Sequence, residues 1–234
     1  MIEPLPIVLI PRLLCSARLY AEQIPELWLC GPVILADHTR DDSMAAIARR
    51  ILAAAPQRRR ASPSSACRWV AISLLKSCGR RRIASRSSPC STLPRADTPE
   101  QSAQRRIEIA LAEHGRFAEV PDLAFPRLVK RQEDEALRRM LRLMADDVGP
   151  EAFVRQQTAI MGRSDSLPGL AAIRCPTLVL VGDSDTLTPP DRSTEIANGI
   201  FGARLVIVPD CGHVSTMEQP RQVTNALVES LQAW

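Results

Sequence analysis

The sequence predicts an α/β fold built on a doubly wound, mostly parallel sheet, and three observations carry that reading. Short apolar runs rich in β-branched residues stand near both ends of the chain: Pro6 to Ile10, Val33 to Ala36, Thr177 to Val181 and Leu205 to Val208. Runs of that length without polar alternation are typical of strands buried on both faces. Helix-period segments separate the members of each pair, and strand–helix–strand units make the paired strands parallel. A long helical stretch, residues 98 to 169, lies between the two halves.

Each element has its local reasons. Pro6 to Ile10 leads into Pro11-Arg12-Leu13-Leu14-Cys15, and Ser16 to Leu27 reads as a helix with Leu19, Gln23 and Leu27 on one face. After Val33 to Ala36, Asp42 or Ser43 is placed to cap an alanine-rich helix over Ala45 to Ala55. His38, in the loop between them, reads as a histidine bonded to nearby backbone rather than as a reacting group. Thr98-Pro99-Glu100-Gln101 is a helix cap with proline in the first turn, opening Ser102 to His114. His114 reads as a solvated residue at that helix's C-terminal end. Leu128 to Val148 sets Leu137, Met140, Leu141 and Met144 on one stripe, and Pro150 to Met161 makes a third helix. Asp191 to Ile200 supplies the crossover between the last two strands, and an amphipathic helix from Pro220 to Trp234 closes the chain.

Ligands of open parallel sheets bind beyond the carboxyl ends of the strands. Gly182-Asp183-Ser184-Asp185 follows one such end and Cys211-Gly212-His213 follows another, with 28 positions between Asp185 and His213. An acid and an imidazole delivered to one edge are the orienter and base of a nucleophilic triad. With these strands and this order of acid before histidine, the chain resembles the α/β-hydrolase fold family, in its serine esterase-like form. The resemblance covers residues 5 to 56 and 94 to 234.

That resemblance implies Asp185, rather than Asp183, as the triad acid and His213 as the general base. It implies oxyanion stabilisation by backbone N–H groups in the loop after the first strand, with Leu13 as the donor. The family's loop usually has a glycine after the proline; here that place is held by Arg12, whose side chain crowds the acyl pocket. The helical stretch 98–169 becomes a lid over the pocket, and its Met stripe either core or channel lining. The whole chain, 1–234, is then a single domain. The implied reaction is hydrolysis of a small acyl ester or related bond, the implied partner a small acyl substrate, and the implied cofactors none, metal or organic.

One part of the family pattern is missing. No Gly-x-Ser-x-Gly elbow occurs anywhere in the chain. Where it belongs, residues 57–93 form a basic, Ser/Arg-rich segment, and residues 57–95 hold ten Lys and Arg without one acid. Removing those ten leaves 20 basic against 26 acidic residues, so a net charge of +4 conceals a segment at +10 and a remainder at −6.

The genetic code offers a reason. Trp69 must end in G and Val70 must begin with GT, so a shift by one base reads glycine at that junction. With permitted third bases, codons 65 to 78 then read Gly-Leu-Ser-Met-Gly-Gly-Tyr-Ile-Ser-Leu-Glu-Ile-Met-Arg, a nucleophile elbow entering a helix. The same shift reads Ala-Leu-Leu-Asp-Thr across Ser88 to Leu93, a strand, and permits another strand across Ala61 to Ser65. The segment thus reads as a frameshift with restoration near codon 93. The serine codon straddles Cys67 and Arg68, so no residue of the chain as written is an identifiable nucleophile; Ser64 and Ser65 lack the flanking glycines. An inactive product with a disrupted central strand is expected. The alternative is a genuine insert in a non-enzymatic, hydrolase-like protein, with the basic segment binding nucleic acid or another polyanion.

Composition narrows the remaining classes. At 234 residues with 45% hydrophobic and 24% charged residues, the chain has the makings of one sizeable core. Aromatic content of 3% argues against base-stacking nucleic-acid surfaces. No run approaches a membrane span, and Met-Ile-Glu-Pro-Leu-Pro lacks the basic start of a signal peptide. Seven cysteines, an odd number without metal-ligand spacing, fit reduced thiols in a cytoplasm.

Overall fold

The structure, a computed structural model, describes residues 6–55, 70–72, 88–89 and 97–233. Two parallel three-stranded sheets carry it. In the first, β1 (Ile7–Leu9) lies between β2 (Val33–Leu35) and β3 (Val70–Ile72). In the second, β5 (Thr177–Gly182) lies between β4 (Ser88–Pro89) and β6 (Arg204–Val208). Every observed pairing is parallel, as the strand–helix–strand reading requires.

Both faces of these sheets are covered. On β1, Ile7 and Leu9 turn to one face, where they pack with Leu27 of α1 (Ile24–Cys30) and Val223 and Leu227 of α8 (Pro220–Ala233). Val8 and Ile10 turn to the other, against Ile47 and Ile51 of α2 (Met44–Ala54). The alternation repeats on β5: Leu178 and Leu180 join the first core, and Val179 meets Ile196 and Ile200 at α7 (Pro190–Gly199). Each fully buried side chain of this kind contributes about 1.5–3 kcal/mol.

Between β4 and β5 stand α3 (Pro99–Glu113), α4 (Val120–Leu128), α5 (Glu135–Val148) and α6 (Pro150–Met161). Thr98 and Gln101 form a reciprocal capping box at the start of α3. A buried polar network ties these helices together. Asp97 accepts from Arg105 at 2.7 Å and Arg163 at 2.6 Å; Arg105 donates to Gln157, and Gln157 and Arg127 both donate to Glu108. With each acid met by several donors, the network offsets its desolvation, and losing one partner would be costly.

Three sequence expectations need correction. The helix expected over Ser16 to Leu27 is two pieces, a 3-10 turn at Ala17–Tyr20 and then α1, because Pro25 lacks the N–H a continuous helix needs; Leu19, Gln23 and Leu27 are nonetheless all buried. In the stretch Leu128 to Val148, α4 ends at Leu128 and helix resumes only at Glu135, where Asp134 accepts from the N–H groups of Ala136 and Leu137 and starts α5. A strand the sequence reading did not anticipate, Val70–Ile72, stands beside β1 in register Ile7↔Val70 to Leu9↔Ile72. That run is short, apolar and β-branched at both ends, which suits it to a parallel strand. The frame-shifted elbow, Ser64, Ser65 and the junction of Cys67 with Arg68 lie outside the described residues, apart from Val70 at the elbow's end.

Candidate active site

β5 ends at Gly182 and β6 at Val208, and the two loops that follow are built to touch. A Cβ on Gly182 would stand 2.2 Å from the Cys211 carbonyl oxygen and 2.3 Å from that of Gly212. Only glycine permits that approach of strand end to loop. Asp183 then fastens the loops: its carboxylate accepts from the N–H groups of Asp210 at 3.0 Å and Cys211 at 3.1 Å. These bonds, the Ser184 hydroxyl and Lys130 hold its carboxyl below the usual carboxylate range.

Asp185 is the buried acid of the pair, 5% exposed. Its Oδ1 accepts from the N–H groups of Leu187 and Thr188, both at 2.9 Å. Its Oδ2 accepts from the Thr188 hydroxyl at 2.6 Å and faces His213 Nδ1 at 2.8 Å. Burial works against the ionised form, but His213, with its hydrogen bond and charge, and Thr188 outweigh it, and the carboxyl stays below its ordinary range. An ionised Asp185 offers only acceptors, so Nδ1 carries the imidazole proton and Nε2 carries the lone pair. Burial lowers the His213 pKa, the nearby Arg12 guanidinium lowers it further, and Asp185 opposes both. The net result is a neutral imidazole at pH 7, the form a general base needs.

The loop after β1 approaches from the opposite side. Arg12 Nη1 donates to the His213 carbonyl oxygen at 2.8 Å, so its side chain reaches across to the histidine loop. Leu13 lies half-buried in the following turn, and Leu14 holds a left-handed φ of 62°. The Leu14 N–H donates to Gln156 Oε1 of α6 at 3.1 Å. His38 is buried and its Nε2 meets the Arg12 carbonyl oxygen at 3.1 Å; His114 Nδ1 meets the Ala110 carbonyl at 2.7 Å.

The histidine loop is also held to the end of α4. His213 N and Val214 N donate to the Leu128 carbonyl at 2.9 and 3.1 Å. Glu218 accepts from Gly212 N at 2.9 Å and Lys130 N at 2.8 Å, bridging both segments with one half-buried carboxylate.

Two thiols stand close by. Burial pushes Cys15, in the loop after β1, and Cys211, two residues before His213, up to about 12. Neither is a thiolate at neutral pH, so neither replaces a missing serine. Among the described residues no group of three or more His, Cys, Asp and Glu is placed to hold a metal ion, and no helix is long and apolar enough to cross a membrane.

The sequence named Asp185, His213 and Leu13; the structure brings the first two into direct contact and sets Leu13 beside Arg12, which touches the histidine loop. It missed Thr188, Arg12's bond to His213, Gln156 and Glu218. Thr188 had a signal, since Asp-x-x-Thr is a local capping pattern in which the hydroxyl returns to the acid. Arg12 and Gln156 act over long sequence separations that local spacing does not encode, and Glu218 joins nearby Gly212 to the distant Lys130.

Comparison with known proteins decides the family. The model of the Alpha/beta hydrolase family matches residues 43–227. The chain belongs to that family. Among solved structures, it is similar to an esterase of Thermogutta terrifontis, at TM-score 0.80 and 23% identity, over 99% of this chain and 90% of that one. It is also similar to the enol-lactonase of Burkholderia xenovorans LB400, at TM-score 0.77 and 19% identity, over 98% and 92%. At such identities these two speak for the fold alone. A sequence relative, BpoC of Mycobacterium tuberculosis, named as a non-heme bromoperoxidase, is 30% identical over 76 residues. That match spans 32% of this chain and 29% of the relative.

Proposed function

We propose that Asp185 and His213 are the acid and base of a serine-hydrolase site that, in the family's intact form, cleaves a small acyl ester or related bond. The observation that carries this reading is the 2.8 Å contact between a buried Asp185 and His213 Nδ1, which leaves Nε2 to take a proton. In a chain that carries the elbow serine, the hydroxyl attacks the acyl carbon as Nε2 takes its proton. Asp185 holds the imidazole and stabilises the imidazolium, and Leu13 N–H stabilises the oxyanion. His213 then returns the proton to the leaving alcohol, and water repeats the sequence to free the acid. Residues 98–169 act as the lid. No cofactor enters these steps.

The chain as written has no elbow, and its activity is that of an acid–base pair without a nucleophile. Rewriting codons 58 to 93 in the shifted frame tests this. Hydrolysis of 4-nitrophenyl butyrate should rise by at least about a thousandfold; equal rates from both proteins would sink the proposal.

One observation favours a second reading, the ten unopposed cations of 57–95. A hydrolase-fold protein without catalysis would bind nucleic acid or another polyanion, with affinity falling steeply as salt rises. No binding to duplex DNA or heparin at low salt removes it.

A further inference from the structure

Gln156 projects from α6 and is 3% exposed. One turn earlier, Phe153 packs with Leu14, Ala112, Val120 and Ala145; one turn later, Ala159 packs with Val8 and Ile10 of β1 and its end. The amide is therefore held between the helical insert and the carboxyl end of β1, against the loop that carries Leu13. Its Oε1 is engaged by the Leu14 N–H. Its Nε2, on the same planar amide, is buried and has no hydrogen-bond partner among the described residues.

A buried amide N–H2 left unpaired costs about 1–3 kcal/mol, and a side chain of similar shape without it would avoid that cost. The orphan also has a fixed aim. The Leu14 N–H can donate only to an oxygen, so the amide cannot turn over without breaking the one bond it has. The donor is held dry beside the loop that carries Leu13, and an acceptor brought by a ligand would pair it.

We propose that the Gln156 side-chain amide is a substrate-binding donor, delivered from the helical insert, that hydrogen-bonds the acyl oxygen of an ester. This rests on the hydrolase reading above. It adds selectivity for ligands that present a carbonyl or carboxylate oxygen at this point, because a ligand without one leaves Nε2 unpaired.

The test uses the chain as written with two neutral probes of one skeleton, ethyl butyrate and ethyl butyl ether, the second having a methylene where the first has its carbonyl. In the isotopically labelled protein, ethyl butyrate should shift the Gln156 side-chain amide signals together with Leu13 N–H and His213. The ester should bind at least tenfold more tightly than the ether. Gln156→Glu keeps an oxygen for Leu14 N–H but removes the donor, so that preference should vanish while the Leu14 signal stays in place. An ester preference equal in both proteins, with Gln156 unmoved while Leu13 and His213 respond, overturns this inference and leaves the site reading intact. No response at Leu13, His213 or Gln156 at saturating ester overturns both.

Discussion

Arg12 Nη1 donates to the carbonyl oxygen of His213 at 2.8 Å, joining the loop after the first strand to the loop after the last. The residue stands where a family loop usually has glycine. It therefore adds a strut and a positive charge beside the imidazole. The charge lies on the wrong side for an imidazolium, and with burial it lowers the His213 pKa.

Replacing Arg12 with Gly should therefore raise the His213 pKa toward that of an ordinary imidazole. A ¹³C-detected titration of the His213 ring reads this directly. An unchanged or lower pKa would mean that the guanidinium does not govern the imidazole.

Gly182→Ala is expected to be among the costliest small substitutions in the chain. The added methyl meets two backbone carbonyls, which cannot rotate away as a flexible side chain would. The loss should be about 3 kcal/mol, read as a urea midpoint lowered by about 1 M. Wild-type stability in this variant would show that the two loops do not approach as described.

Asp185→Asn removes the ionised acceptor that fixes Nδ1–H and puts an amide among the donors of Leu187 and Thr188. Stability should fall by about 1–3 kcal/mol, and the ring-nitrogen chemical shifts should lose the signature of a proton fixed on Nδ1. Retention of both would dissociate Asp185 from His213.

Acidification has a definite sign. Burial lowers the pKa of both His213 and His38, so below about pH 6.5 the unfolded chain binds protons that the folded chain refuses. Each imidazole then subtracts stability as pH falls from its unfolded pKa to its folded one, by at most about 1.4 kcal/mol per pH unit. Asp185, with its lowered pKa, loses its own contribution only further down, below the usual carboxylate range. Urea midpoints should therefore decline from pH 7 to pH 5, with a shallower decline in His38→Gln. A flat or rising profile contradicts the assignment of both histidines as neutral in the folded chain.

Much of this arrangement is legible in the chain because it depends on local pattern. β5 and β6 are continuous apolar runs, and parallel pairing follows from the helix between them. Asp185 and His213 follow strand ends, so the sheet delivers them to one edge without information from elsewhere. The break between the 3-10 turn and α1 was missed because the apolar face continues through it while Pro25 interrupts only the hydrogen bonds. Gln156, Glu218 and the bond from Arg12 to His213 were missed for a different reason. Each acts on a partner set by tertiary packing, as in the Gln156 bond to Leu14 across 142 positions. The strand at Val70–Ile72 was missed because its short run sits in a segment whose composition reads as foreign to the fold.

We propose that an assembled acid–base pair, Asp185 and His213, stands in a chain without its nucleophile. Incubation with a fluorophosphonate and measurement of intact mass tests it most directly. No adduct is expected on the chain as written, and one adduct per chain, on the new serine, after codons 58 to 93 are returned to the shifted frame. A stoichiometric serine adduct on the chain as written would contradict it.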